Sequence, residues 1–256
     1  MIKAAFFDID GTLVSLETHR IPASAHMALE KLRQKGIKLF ICSGRPYCAI
    51  DNLEGEQFDG FITVNGGICN IGGQTILKHP IPMADVTAWN SCIKKDPIDC
   101  FFITENQVFM SRKCSETDRF IELLNFITPS VATLDELSGT PIFQIVGLFG
   151  GDRDAAVHKA LPNCRLTRWH PTFSDIVPAD SDKSHGMRAA LDFLGLQPEE
   201  CMAFGDGAND IEMLRFAGLS IAMAGCPPQV EAAATYRTDS PDDDGIYNAL
   251  KHFSVI

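Results

Sequence analysis

Residues 4–12 read Ala-Ala-Phe-Phe-Asp-Ile-Asp-Gly-Thr. A short apolar, aromatic run that breaks into a Gly-Thr turn predicts a buried strand over residues 4–9. Asp8 and Asp10, two residues apart at the end of that strand, point to the same side. Burying one carboxylate beside another is costly unless a cation or protons compensate, and a divalent metal supplies that compensation. Asp and Gly are also ordinary turn residues, so taken alone this stretch leaves a plain strand-ending turn open.

Working outward, the same alternation recurs. Residues 22–35 carry a helical pattern with Ala25, Leu29 and Leu32 on one face, stopped by Gly36. A second buried strand is predicted over 38–42, ending at Ser43-Gly44-Arg45, and a third over 61–64, ending at Asn65-Gly66-Gly67. The glycine-rich stretch 66–73 leads into a strand at 74–77 and not into a helix, so it predicts a β-hairpin and not a dinucleotide-binding turn. His79-Pro80-Ile81-Pro82 reads as a linker.

From residue 83 to 178 the texture changes. Helices are predicted at 84–95, 115–127 and 152–160, among short strands at 99–103, 107–110, 142–149, 165–169 and 173–177, as in an α+β insertion with its own small sheet. After Asp180 the strand–helix alternation returns. An amphipathic helix at 184–194 is closed by Gly195, and a strand at 201–204 ends at Gly205-Asp206-Gly207. A helix at 210–217, strands at 220–223 and 235–238, and a helix at 245–252 complete the chain. The fold class is therefore α/β: a Rossmann-like parallel-sheet core with helices on both faces, made of residues 1–82 and 179–256, with an inserted α+β domain at 83–178. The conspicuous polar residues fall just after the strands, the edge at which open α/β sheets bind ligands.

The 256 residues are 45% hydrophobic and 21% charged, a balance that fills a sizeable core. Acidic residues number 33 against 22 basic, a net charge of -11. Such a surface repels nucleic-acid backbones and anionic lipid, so neither is an expected partner. The nine cysteines are scattered without a CxxC pair, as in a reduced cytoplasmic protein. Residues 1–12 lack the basic and long apolar regions of a signal peptide, and no apolar run reaches the ~20 residues of a membrane span.

Three further elements carry chemistry. Ser43 and Gly44, directly after a strand, offer a hydroxyl and backbone N–H groups to a phosphate oxygen. Lys183, just before a helix, offers a positive charge beside that helix's free N–H groups. In Gly205-Asp206-Gly207-Ala208-Asn209-Asp210 the acids offer oxygen ligands to a hard cation. Each has an ordinary alternative taken singly, a βα turn for Ser43 and a solvated surface residue for Lys183.

Their order removes that ambiguity. DxDGT, then Ser after a strand, then Lys, then GDGxND resembles the four motifs of the haloacid dehalogenase superfamily over nearly the whole chain. The likeness is greatest to its Cof-type phosphatases, subfamily IIB. Ser43-Gly44-Arg45 matches that group's [ST]GR, and Asn65-Gly66-Gly67 resembles its NGA with Gly for Ala. Lys183-Ser184-His185-Gly186-Met187 resembles its KGxGL stretch, with Ser for the first Gly, and Asp244-Gly245-Ile246 its terminal DGV. The insertion lies where this group carries a type C2 cap.

The resemblance implies a Mg²⁺-dependent phosphatase. Asp8 is then the nucleophile and Asp10 the acid and base. The Asp8 carboxylate, the Asp10 carbonyl and Asp206 hold the metal, with Asp210 in its outer shell. Ser43, Gly44, Lys183 and Asn209 contact phosphate, and Thr12 supports the loop. The substrate implied is a small phosphorylated metabolite such as a sugar phosphate, and the protein itself a monomer or weak homo-oligomer. A phosphomutase resembling phosphomannomutase, and a non-catalytic sugar-phosphate sensor, are the alternatives. Dispersed histidines argue against zinc. Trp89, Trp169 and Cys42 read as packing residues, and Arg112, Arg165 and Arg168 as candidates for substrate recognition.

Overall fold

The computed structural model describes residues 1–123 and 128–256. The chain divides into two compact units. The first comprises residues 1–45, 50–78 and 182–256, and the second residues 46–49 and 79–181.

The first unit opens with β1 (Ala4–Phe7), α1 (Ala23–Gln34), β2 (Lys38–Cys42), β3 (Gly60–Thr63), β4 (Ile68–Ile71) and β5 (Gln74–Lys78). The second holds α2 (Met83–Lys95), β6 (Asp99–Ile103), β7 (Val108–Met110), α3 (Ser115–Leu123), β8 (Ser130–Val131), β9 (Gln144–Leu148), α4 (Asp154–Ala160), β10 (Cys164–His170) and β11 (Phe173–Pro178). The chain then re-enters the first unit with α5 (Lys183–Leu194), β12 (Cys201–Gly205), α6 (Ile211–Phe216), β13 (Leu219–Ala222), α7 (Pro228–Glu231), β14 (Tyr236–Arg237) and α8 (Gly245–His252). The last four positions of the helix expected at 115–127 lie outside the described residues, as does the side chain of Trp169.

The first unit is an eight-stranded sheet in the order β14-β13-β12-β1-β2-β3-β4-β5. It is parallel from β14 to β3, and β4 and β5 add an antiparallel hairpin. Both faces of the central strands are buried, which is why they read as unbroken apolar runs. Ala5, Phe7, Leu39, Ile41, Met202 and Phe204 face one layer, built on Ala28, Leu29 and Leu32 of α1 and Ile246, Ala249 and Leu250 of α8. Ala4, Phe6, Phe40, Cys42 and Ala203 face the other, against Met187 and Leu191 of α5 and Met213 and Leu214 of α6. The rings of Phe6 and Phe40 stack at 4.8 Å on one face, and Phe7 and Phe204 at 5.1 Å on the other. Cys42 is part of this core.

The sheet winds one way through β2 and the other way through β12, with β1 between them. Such a reversal opens a crevice at the C-terminal ends of the strands. Asp8, Ser43 and Asp206 directly follow the last residues of β1, β2 and β12, and Asp206 leads into a short 3₁₀ segment at 208–210.

The second unit is a six-stranded sheet in the order β10-β11-β9-β6-β7-β8. Its core gathers Val86 and Trp89 of α2, Val157 of α4, and Cys100, Phe102, Ile145 and Ile176 of the strands. Phe120 of α3 packs on Phe101 at 4.5 Å and on Phe173 at 5.0 Å. Three elements escaped the sequence pattern. β4 lies among glycines, β8 is two residues long, and α7 is a single turn begun by Pro228. None is long enough to show a period.

Candidate active site

Lys183 is the first residue of α5, whose N-cap is Asp182. The Asp182 carboxylate accepts from the His185 amide at 3.1 Å and from Ser184 Oγ at 2.5 Å. A capping carboxylate satisfies donors that the first turn leaves open, and it fixes where the lysine starts. The Lys183 side chain is wholly buried in the first unit, and Nζ donates to Asp8 Oδ1 and to Asp210 Oδ1, both at 2.5 Å. Expectation of a solvated lysine, open on the motif alone, is thus corrected. His185, two residues on, has its amide used in the same cap.

Asp206 accepts from Thr12 Oγ1 at 2.7 Å, so Thr12 ties the first loop to the Asp206 turn. Gly11 explains itself at the same contact. Its φ is +85, and a Cβ there would stand 2.4 Å from Asp206 Oδ2; only glycine meets both conditions. Both Asp210 oxygens are engaged: Oδ1 with Lys183, Oδ2 with the amides of Asp206 and Gly207 at 2.9 and 2.8 Å.

Carboxylate oxygens of Asp8, Asp206 and Asp210 all lie within 4.8 Å of one another. Burial raises the pKa of Asp8, against the pull of Lys183, and Asp210 and Asp206 add to the rise. Burial likewise pushes Asp206 up to about 6, opposed by the Thr12 hydrogen bond and reinforced by Asp210. Burial disfavours the Lys183 ammonium, but Asp210 and Asp8 outweigh it and hold its pKa above the usual lysine value. Three carboxylates thus converge on one fixed cation. This shortage of positive charge, met by an all-oxygen donor set, fits a hard divalent ion such as Mg²⁺.

Asp10 lies beside this cluster, half-exposed, with its carboxylate turned to Arg45. Arg45 Nε reaches Asp10 Oδ2 at 2.7 Å and Nη2 reaches Oδ1 at 2.8 Å. A guanidinium fork of this kind fixes direction as well as charge. Ser43 is buried, and its Oγ accepts from the Arg45 amide at 3.2 Å. Asn209 Nδ2 donates to Asn65 Oδ1 at 3.2 Å, and Asn65 borders Gly44. The eight candidate residues therefore come together in the first unit. Arg45 and Asn65 were quoted in motifs but given no task by sequence; their partners lie 35 and 144 residues away, a relation no local spacing encodes.

The three arginines singled out in the second unit each have a partner there. Arg168 pairs with Asp154 and donates to the carbonyls of Phe149 and Phe173 at 2.8 and 3.0 Å. Arg165 donates to the Ser181 carbonyl at 2.9 Å, and Arg112 forks onto Asp99 at 2.5 and 3.0 Å. Arg112 nevertheless remains largely exposed, whereas Arg168 is mostly buried. Arg112 also sits at a further close group, Asp99, Cys114 and Glu116. Trp89 is a core residue, as expected.

The family model for haloacid dehalogenase-like hydrolases matches residues 5–250. The chain belongs to this family. Within the haloacid dehalogenase-like hydrolases it is similar to the subclass IIB sugar phosphatase BT4131, at 38% identity and a TM-score of 0.91, covering 99% of this chain and 100% of that one. BT1666 from Bacteroides thetaiotaomicron, described among phosphatases of the superfamily, is 32% identical with a TM-score of 0.92 over 100% and 96% of the two chains. "Putative phosphatase YkrA" of Bacillus subtilis (strain 168) is 29% identical over 99% of this chain and 98% of its own. The protein is accordingly a hydrolase of the phosphatase type, with the parallel-sheet core and cap domain of these relatives. Among the described residues no helix is long and apolar enough to cross a membrane.

Proposed function

We propose that the chain is a Mg²⁺-dependent phosphomonoesterase of small phosphorylated metabolites, sugar phosphates foremost, acting through a phosphoryl group carried on Asp8. The observation that supports it most is the division of labour between two carboxylates two residues apart: Asp8 is buried against Lys183, and Asp10 is half-exposed and steered by Arg45. A nucleophile and a proton carrier need such different surroundings.

In the first step Asp8 Oδ attacks phosphorus and the ester P–O bond breaks, while Asp10 gives its proton to the departing alkoxide. In the second, water attacks phosphorus, Asp10 takes its proton, and the P–O bond to Asp8 breaks to free inorganic phosphate. Lys183 offsets the charge of the transferring oxygens, with Ser43, the Gly44 amide and Asn209 as further contacts. Asp8, the Asp10 carbonyl and Asp206 would hold Mg²⁺, whose chemistry there is to neutralise and orient phosphoryl oxygens. Asp210, with both oxygens already committed, positions Lys183 and the Asp206 turn. The second unit acts as the cap that selects substrates, and a cytoplasmic site of action agrees with nine unpaired thiols. The sugar-phosphate preference rests on the likeness to BT4131, a sugar phosphatase by name.

The test is phosphate release from p-nitrophenyl phosphate and a panel of sugar phosphates, with and without Mg²⁺. Release that needs the metal and vanishes in Asp8→Asn is expected. Turnover surviving in a folded Asp8→Asn protein would refute the nucleophile. Isomerised sugar phosphate without free phosphate would favour the mutase.

A further inference from the structure

The turn that joins β3 to β4 carries three successive residues in the left-handed region: Val64 at φ 54, Asn65 at φ 51 and Gly66 at φ 88. Glycine tolerates this and asparagine often does, but a β-branched valine does so only when its surroundings force it. Strain of this kind collects where a site must be held in one arrangement.

The surroundings here are the candidate phosphate-binding segments. The Val64 amide donates to the Arg45 carbonyl and the Asn65 amide to the Ser43 carbonyl, both at 3.2 Å. The Gly66 and Gly67 amides close the turn on Thr63 and Val64, both at 3.1 Å. Asn65 is buried, and its Oδ1 accepts from Asn209 Nδ2 at 3.2 Å. A Cβ on Gly44 would lie 3.0 Å from that same oxygen. On the other side, a Cβ on Gly66 would lie 1.8 Å from the Asp182 carbonyl and 3.2 Å from the Lys183 amide. One four-residue turn therefore touches the Ser43-Gly44-Arg45 loop, the start of α5 that carries Lys183, and the Asn209 amide.

We propose that Asn65 is a positioning residue for phosphate binding: its side-chain oxygen orients the Asn209 amide beside Gly44, so that both meet the phosphoryl oxygens together. This rests on the assignment of Asn209 and Gly44 as phosphate contacts made above.

The experiment is a double-mutant cycle of Asn65→Gly and Asn209→Ala in the holoenzyme, reading KM, kcat and inhibition by inorganic phosphate, with melting curves as a fold control. Asn65→Gly keeps the left-handed backbone and removes the side-chain oxygen that Asn209 meets. KM and the phosphate inhibition constant should rise together by about fivefold, the worth of one oriented hydrogen bond. The double variant should be no worse than Asn209→Ala, because Asn65 acts through that residue. A general loosening of the fold would lower kcat and melting temperature and would be additive. Additive effects, or Asn65→Gly matching wild type while Asn209→Ala does not, would overturn the proposal and leave the phosphate site intact. Asn209→Ala with wild-type KM would instead remove Asn209 from the phosphate site, and Asn65's role with it. Should Asn65→Gly melt early, the cycle is run below the melting onset of all four proteins, with the same criterion of non-additivity.

Discussion

Lys183→Met tests whether the buried ammonium is the charge on which the acidic cluster depends. Methionine fills nearly the same volume without a charge, so little cavity is created. Nζ lies 2.5 Å from both Asp8 Oδ1 and Asp210 Oδ1, and the side chain is wholly buried. At an effective dielectric of ~20, opposite unit charges at that separation attract by about 7 kcal/mol per pair, before the desolvation of each ion is subtracted. Removing one partner of a buried pair costs about 3–5 kcal/mol, because the remaining charge stays buried without compensation. For a chain of this size each kcal/mol lowers the melting temperature by about 2–4 °C, so metal-free Lys183→Met should melt about 6–20 °C below wild type. Millimolar Mg²⁺ should recover more of that loss in the variant than it adds to wild type, since an ion then meets charge that nothing else does. Catalysis should remain low with Mg²⁺ present, down by about 10²–10³ in kcat, the usual effect of deleting one preorganised charge-stabilising group. The assays are thermal melts in EDTA and in Mg²⁺, and phosphate release. A metal-free variant melting within a degree or two of wild type would refute the assignment of Lys183 as the compensating charge.

Asp10→Asn should lower kcat on sugar phosphates by about 10²–10⁴, the usual span of general acid–base help. The loss should be smaller on p-nitrophenyl phosphate, whose leaving group needs little protonation; equal losses on both would argue against Asp10 as the acid. Arg45→Ala should show the same leaving-group dependence in weaker form, because it frees the carboxylate that the guanidinium directs. Asp206, pushed up to about 6 chiefly by burial, and Asp8, also raised chiefly by burial, must be ionised to hold a cation, so Mg²⁺ affinity should weaken as pH falls through about 6. Titrations showing no such fall down to pH 5 would exclude Asp206 as a ligand. His26 of α1 contacts Glu56 at 2.6 Å and Glu54 at 3.2 Å, while Arg33 pairs with Glu56 and Arg20 with Glu54. Burial lowers the His26 pKa, but the hydrogen bonds to Glu56 and Glu54 raise it above 6.5. A raised folded-state value contributes stability that is complete below the unfolded pKa and disappears as pH rises through the folded one. His26→Gln should therefore lower the melting temperature more at pH 5.5 than at pH 8.5, and an equal loss at both would refute the ion pairs.

By itself the sequence determined the regular elements of the first unit, β4 and α7 excepted, and singled out the candidate site residues. β2 and α8 span the expected residues, and the other expected elements of that unit shift by one or two positions. The physical reason is local: strands buried on both faces must be apolar throughout, and helices must show one apolar stripe. The order of polar residues, Asp8, Ser43 and Asp206 after strands and Lys183 at a helix start, then marked the candidates. The sequence could not say what those side chains do to one another. Lys183 in isolation is an ordinary surface lysine; folding brings it to Asp8, 175 residues away, and to Asp210, 27 residues away. Arg45 stands two residues beyond Ser43 with nothing local to show that it steers Asp10. Val64 and Asn65 give no hint of left-handed backbone until the Ser43–Arg45 loop and Asn209 are in place around them. These relations belong to the tertiary structure because each depends on which strands become neighbours in the sheet, and that is settled by packing over the whole chain and by no pattern within a few residues.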